Sequence, residues 1–319
     1  MLHFAAQTHV DNSFGNSFSF TKNNVMGTHV LLEAAKEHGV KLFVHVSTDE
    51  VYGDGVNNDD HAMQEEHVLE PTNPYAATKA AAEFLAKSYH RSFHLPIIIT
   101  RGNNVYGPHQ FPEKLIPKFI HQLDRNERVT VHGTGENQRN FLYVTDVANA
   151  FDLIVHQGIV GSIYNIGGKN ERTNLNVAET LIQAMKGGKG KKKNKNNKNN
   201  KNNKKKNETL DLDAIDTTKD GEDVDEGEGE GDGKVDLAKY LSFVEDRCFN
   251  DVRYNIDSRR LRNDLKWEEK VSWEEGIQKT VDWYTAKDEH GVLIERWPSH
   301  LIAAATVAHP RMMGESGKF

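Results

Sequence analysis

The chain has 319 residues, 37% of them apolar, 27% charged and 8% aromatic, with a formal charge of −7. Its apolar runs, such as Ile97 to Ile99 and Leu301 to Ala305, are a few residues long, so no membrane-crossing helix of about 20 apolar residues is possible. A single cysteine, Cys248, excludes an internal disulfide framework and a thiolate metal cluster, and the N-terminus lacks the basic and apolar regions of a secretory signal, so a reducing, cytoplasmic setting is expected.

The pattern of elements begins with Met1 to Phe4, the end of a strand. Thr21 to His38 carries apolar residues at Val25, Val30, Leu31, Leu32, Ala34 and Ala35, a helical stripe that stops at Gly39. Lys41 to Ser47 reads as a strand of β-branched and aromatic residues. A helix opens at Pro74, proline being favoured in the first turn, and runs to about Phe93. Leu95 to Thr100 is a short, almost wholly apolar strand of the kind covered on both faces in a parallel sheet. Strand and helix in alternation predict a doubly wound α/β domain. Beyond Gly107 the pattern loosens into loops, helices and short strands at Arg128 to His132 and Ser162 to Ile166, as expected of a smaller lobe.

The charge is segregated. Residues 186–206 hold eleven lysines and no acid, while residues 211–232 hold eleven acids against Lys219. The two blocks nearly cancel, and no aromatic side chain interleaves with the lysines to stack on bases, so 186–237 reads as a low-complexity, disordered insert rather than a nucleic-acid patch. The predicted organisation is therefore 1–107 with returning elements from 140–168, a lobe of 108–185 and 238–285, the insert, and a tail at 286–319 of unknown role. None of the sixteen histidines falls in a metal-binding pattern, and no metal is expected. A Gly-rich turn after the first strand, the usual holder of a dinucleotide pyrophosphate, is missing, and Gly133-Thr-Gly135 leads into no helix.

Two short strings carry chemistry. Tyr75 and Lys79 are four residues apart, hence on one helical face. An ammonium beside a phenol favours the phenolate, which can then act as a base on a hydroxyl, although the spacing alone equally suits a surface pair. Thr48, Asp49 and Glu50 follow a buried strand at the edge where open α/β sheets bind ligands. Adjacent carboxyls there can be pushed apart in pKa so that one is an acid and one a base, although acids after a strand also serve as helix caps.

Taken with HFAAQTHVD (3–11), NVMGTHVLLEAA (24–35), HVSTDEVYG (45–53), PTNPYAATKAAAE (71–83), TRGNNVYGPHQFPEKLIPKFI (100–120), HGTGENQRNFLYVTDVA (132–148), YNIGGKNERTN (164–174) and EDRCFNDVRY (245–254), these strings resemble the extended short-chain dehydrogenase/reductase family and, within it, the nucleotide-sugar 4,6-dehydratases. The resemblance implies a Rossmann-like, NAD-binding fold with a smaller C-terminal substrate lobe. Tyr75, helped by Lys79 and Thr48, would take the C4 hydroxyl proton of a dTDP- or UDP-glucose, Glu50 would remove the C5 proton, and Asp49 would protonate the departing C6 hydroxyl. NAD contacts are implied at Ala5, Ala6, Asn24, Ser47, Tyr75 and Lys79. Nucleotide contacts are implied at Asn104, Lys114, Leu115, His132, Arg139, Asn174, Arg247 and Asn250, the two arginines suiting bidentate phosphate binding. His132 and Asn250 replace a tyrosine and a histidine of the bacterial dTDP-glucose enzymes, which favours uridine over thymidine. The helices at 21–38 and 74–93 are expected to pair in a homodimer.

Aligned with that family, Met1 falls within the fourth strand, so the sheet is expected to lack its first strands. Two strand–helix units at roughly 30 residues or more each, about 60–90 residues, would precede it in a whole enzyme. A nucleotide-sugar C4 epimerase, which needs no carboxyl pair, and a truncated non-catalytic binding protein are the alternatives.

Overall fold

The computed structural model describes residues 1–54, 62–187, 235–246, 250–294 and 296–298. Most of the expected insert, Arg247, Cys248 and the end of the tail lie outside the described residues.

The first strand, β1 (Leu2–His3), leads through a loop to the short helices α1 (Val10–Gly15) and α2 (Ser17–Phe20). The continuous helix expected over 21–38 is instead a wide π-helical turn, Thr21–Met26, followed by α3 (Gly27–Glu37). The wide turn coincides with a buried side chain that needs room: Asn24 is 2% exposed and reaches back to the backbone of Gln7. Gly39, at φ +57°, ends α3 with a left-handed residue that lets Val40 N–H bond the carbonyl of Ala35 at 2.9 Å. Strand β2 (Phe43–Thr48) runs into a tight 3₁₀ turn at Asp49–Tyr52. Helix α4 (Pro74–Phe93) begins at its expected residue because Asn73 caps it, its side-chain oxygen accepting from Ala76 N–H at 2.8 Å. There follow β3 (Ile97–Gly102), β4 (Asn104–Tyr106), α5 (Leu115–Asp124), β5 (Val129–His132), β6 (Gln138–Tyr143), α6 (Val144–Gln157), β7 (Ile163–Ile166), β8 (Asn170–Thr173) and α7 (Asn174–Lys186). After the insert come β9 (Leu241–Val244), β10 (Arg253–Tyr254), α8 (Arg259–Leu265) and α9 (Trp273–Tyr284).

Strands β1, β2, β3 and β7 form one wholly parallel sheet in that order. Successive side chains of a strand face opposite ways, and β3 uses both faces. Ile97 and Ile99 pack with Leu32, Ala35, Ala86 and Tyr89 of α3 and α4, while Ile98 packs with Ala150, Ile154, Leu261 and Trp267 on the side of α6 and α8. Each such side chain contributes roughly 1.5–3 kcal/mol on burial. Helices on both faces of a parallel sheet make this the doubly wound α/β architecture that the alternation implied.

The second sheet has β6 between β4 and β10, both parallel to it, with β8 antiparallel to β6; a third pairs β5 with β9 across the insert. Around them α5, α7 and α9 enclose a second core that includes Phe119, Ile120, Val131, Leu181, Trp273 and Ile277. Gly135, at φ +75°, turns the chain after β5, and a Cβ there would come within 2.7 Å of Val131. This pair of glycines therefore serves a tight turn, and no helix follows it, as its sequence context implied. No helix among the described residues is long and apolar enough to cross a membrane.

Candidate active site

The carboxyl ends of β2 and β3 open onto a pocket of about 490 Å³ that reaches across to α5, β5 and the loop before β10. Ser47 and Thr48 of β2, Thr100 of β3, Glu50 and Tyr75 border it. Parallel strands bring these groups together because their carboxyl ends all finish on one edge of the sheet.

Thr48 organises the turn. Its hydroxyl donates to Asp49 Oδ1 at 3.1 Å and accepts from the Glu50 N–H at 3.4 Å. Asp49 is 4% exposed, and its other oxygen accepts from Asn103 Nδ2 at 2.6 Å, so its carboxyl is held just behind the pocket wall. Glu50 borders the pocket and accepts from Asn73 Nδ2 at 3.1 Å. Burial pushes Asp49 up to about 6, against the hydrogen bonds from Asn103 and Thr48 and the charge of Arg139. Burial, followed by the neighbouring Asp49, pushes Glu50 up to about 7. Both carboxyls are thus raised in the same direction, chiefly by burial, rather than pushed apart.

Tyr75 lies on the first turn of α4, 7% exposed, with its ring edge-on to Phe20. Its phenol is raised well above the ordinary range by burial and by the charge of Glu50, with only the Thr48 hydroxyl acting the other way. Lys79 is not among the groups that shift this phenol. Lys79 donates instead to the carbonyl of Val46 at 2.6 Å, and burial lowers its ammonium to about 8. Residues four apart share a helix face, but α4 lies along β2, where the strand carbonyl captures the lysine.

The remaining expected contacts divide. Asn104, Lys114, Leu115, His132, Arg139, Asn174 and Asn250 border the pocket with Ser47, Thr48, Glu50 and Tyr75. Ala5, Ala6, Asn24 and Lys79 are not part of its lining, and Arg247 lies outside the described residues. Asn24 accepts from Gln7 N–H at 2.7 Å and donates to Gln7 O at 3.1 Å and Thr78 Oγ1 at 3.0 Å, pinning the 4–9 loop to α4. Arg139 stacks over Tyr254 at 4.4 Å, and its guanidinium donates to Gln138 O at 2.7 Å and Asn250 Oδ1 at 3.2 Å. Asn73 and Asn103 were not among the expected residues. Asn73 was signalled by the Asn-Pro that opens α4, a helix-capping pattern; nothing in the spacing of Asn103 points to Asp49.

The model of the family described as GDP-mannose 4,6 dehydratase matches residues 1–225. The dTDP-D-glucose 4,6-dehydratase of Dictyostelium discoideum is 49% identical over 292 residues, covering 89% of this chain and 64% of the relative. The trifunctional UDP-glucose 4,6-dehydratase/UDP-4-keto-6-deoxy-D-glucose 3,5-epimerase/UDP-4-keto-L-rhamnose-reductase of Arabidopsis thaliana is 44% identical over 317 residues, 98% of this chain and 38% of the relative. The chain thus spans less than two thirds of the length of either. A dTDP-glucose 4,6-dehydratase from Streptomyces venezuelae, solved with NAD bound, superposes with a TM-score of 0.70 at 33% identity, covering 89% of this chain and 72% of that one. The motifs around Thr48 and Tyr75, the parallel sheet that brings them to one edge and the match over most of the length agree: the chain belongs to the GDP-mannose 4,6 dehydratase family.

Proposed function

We propose that this chain carries the reacting half of a nucleotide-sugar 4,6-dehydratase, which converts UDP- or dTDP-glucose to the 4-keto-6-deoxy sugar with loss of water. The observation that carries the reading is the raised carboxyl pair, Asp49 and Glu50, beside the buried phenol of Tyr75. A C4 epimerisation has no use for such a pair. Dehydration needs a base for the C5 proton and an acid for the C6 hydroxyl, and two adjacent carboxyls raised toward neutrality by burial suit both roles.

The residues bordering the pocket suit NAD as the cofactor. Ser47 Oγ and Thr100 Oγ1 are buried polar atoms without a protein partner on the wall at the strand ends, where an amide-bearing ring finds hydrogen bonds. Ser47 and Tyr75 would hold it, with Ala5, Ala6, Asn24 and Lys79 shaping the adjoining loop and helix. Bound there, NAD supplies a hydride acceptor and donor. Tyr75, oriented by Thr48, takes the proton of the sugar C4 hydroxyl. Glu50 takes the C5 proton made acidic by the adjacent ketone. Asp49, between the pocket-lining Thr48 and Asn103, gives its proton to the C6 hydroxyl, which leaves as water. Residues 1–107 with 140–168 would form the cofactor side and 108–185 with 238–285 the substrate side; Asn104, Lys114, Leu115, His132, Arg139, Asn174 and Asn250 would contact the nucleotide, as would Arg247, which lies outside the described residues.

The test is incubation of the chain with NAD and UDP-glucose or dTDP-glucose, with products resolved by mass spectrometry. A product lighter by one water supports the reading and identifies the preferred base. An isomer of unchanged mass means epimerisation, and no conversion of either sugar by the chain joined to the family's first two strand–helix units overturns the reading. A homodimer through 21–38 and α4 follows from the exposed apolar side chains there: Met26 is 61%, Val30 67% and Phe84 58% exposed. Sedimentation should give a dimer for the parent chain and a monomer for F84D. Cytoplasmic location is part of the same reading.

A further inference from the structure

Three long cationic side chains border the pocket: Arg139, Lys114 and Lys118. Two are already committed within the protein. Arg139 is held by Gln138 O at 2.7 Å, by Asn250 Oδ1 at 3.2 Å and by the face of Tyr254. Lys114 donates to the carbonyl of Thr8 at 2.9 Å and lies 3.8 Å from Glu113. Lys118 differs. It follows Lys114 by one turn of α5, on the same face, and is half-buried, yet its ammonium makes no hydrogen bond or ion pair among the described residues. The charge that steadies it is that of Asp11, also on the pocket wall, and burial lowers its pKa. A partly desolvated ammonium without a partner is costly, and an anionic ligand oxygen relieves that cost. Lys118 is not among the main charges acting on the reacting carboxyls, which are Arg139 on both and Asp49 and Asp251 on Glu50.

We infer that Lys118 is a ligand contact for the phosphate groups of a nucleoside diphosphate, adding its charge to those of Lys114 and Arg139 on the same wall. The inference rests on the nucleotide-sugar reading and deepens it, because the diphosphate is the anionic part of such a substrate that lies away from the sugar carbons undergoing reaction. A lysine suits this role as a compact point charge.

The experiment is calorimetric titration of the parent chain, K118M and K118R with UDP and with dTDP. Methionine preserves the length and apolar stem of the side chain, and equal melting temperatures confirm that the fold is kept. K118M should bind the preferred diphosphate about tenfold more weakly, the effect of losing one charge-assisted contact, and K118R should retain most of the affinity. Equal affinity in K118M and the parent overturns the assignment, as does a loss in K118M that K118R fails to restore. If the parent chain itself binds neither UDP nor dTDP, the nucleotide-sugar reading falls and the assignment falls with it. If the parent binds and K118M matches it, only the assignment falls.

Discussion

Asn73 holds Glu50 with its amide nitrogen at 3.1 Å while its amide oxygen caps α4 at the Ala76 N–H, 2.8 Å away. One side chain therefore sets the spacing between the carboxyl at the end of β2 and the phenol on the first turn of α4. N73A removes both bonds and should cost about 0.5–2 kcal/mol in chemical unfolding, the usual value of a cap. N73D keeps the cap but places a second negative charge beside Glu50. It should be less stable than the parent at pH 8, where two buried carboxylates meet, and should move the acidic limb of the kcat–pH profile upward; an unmoved limb would show that Asn73 acts only on the helix.

Replacing Glu50 by Gln should trade activity for stability. Burial raises Glu50 from 4.5 to about 7, so its ionisation opposes folding increasingly as pH rises from about 4.5 through 7 and fully above that. E50Q removes the penalty and should stabilise the chain by about 1–2 kcal/mol at pH 8 and by nothing measurable at pH 4, after allowance for partial exposure and for its coupling to Asp49. Turnover of the sugar should fall by about 10²–10⁴ as expected for a lost general base. Melting curves at the two pH values together with single-turnover rates check both halves.

His45 lies in the middle of β2 with neither ring nitrogen bonded among the described residues, 5.5 Å from the ring of His3. Burial first, then the charges of Lys79 and His3, hold its pKa well below normal, and burial with Lys79 lowers His3 to about 4. Both rings are neutral in the fold, whereas an unfolded histidine takes a proton near 6.5. Stability is therefore full above about pH 6.5 and is lost as pH falls below it, on the order of 1 kcal/mol per pH unit per ring. H45L has no hydrogen bond to lose and should flatten the decline in melting temperature between pH 6.5 and 4.5. A slope equal to that of the parent would clear His45 of the effect.

Arg101 and Glu83 form an ion pair at 2.7 Å with side chains 1% and 0% exposed. Arg101 also donates to Tyr52 OH at 2.7 Å, and Tyr52 donates onward to Asn165 at 2.8 Å, so the pair braces the far end of the turn that begins with Asp49. Removing Arg101 leaves the buried Glu83 with only the longer, half-exposed pair to Lys87 at 3.8 Å. R101M should cost about 3–5 kcal/mol in urea unfolding, and E83L with R101M together should recover much of it. A double variant as unstable as R101M would mean that the loss lies in Tyr52 rather than in the charge.

Local chemistry made a good part of this molecule legible in one dimension. Asn73-Pro74 marks the start of α4, Gly39 the end of α3, and the apolar run Ile97-Ile98-Ile99 a strand that must be covered on both sides. Capping, backbone conformation and side-chain period act between residues close in sequence, so spacing alone reveals them. The pairing of β5 with β9 does not, since the lysine-rich and acidic insert separates them and a parallel register leaves no turn to read. The same division runs through the site. Thr48, Asp49, Glu50 and Tyr75 stand out by their types and by their position after a buried strand. The tertiary structure alone decided that Lys79 donates to Val46 instead of serving Tyr75, that Asn103 holds Asp49, and that Lys118 rather than Lys114 is left with an uncommitted charge. Those outcomes depend on which carbonyl, amide or carboxylate from a distant element arrives within hydrogen-bonding distance, and on how far burial strips water from each charge. Packing sets both.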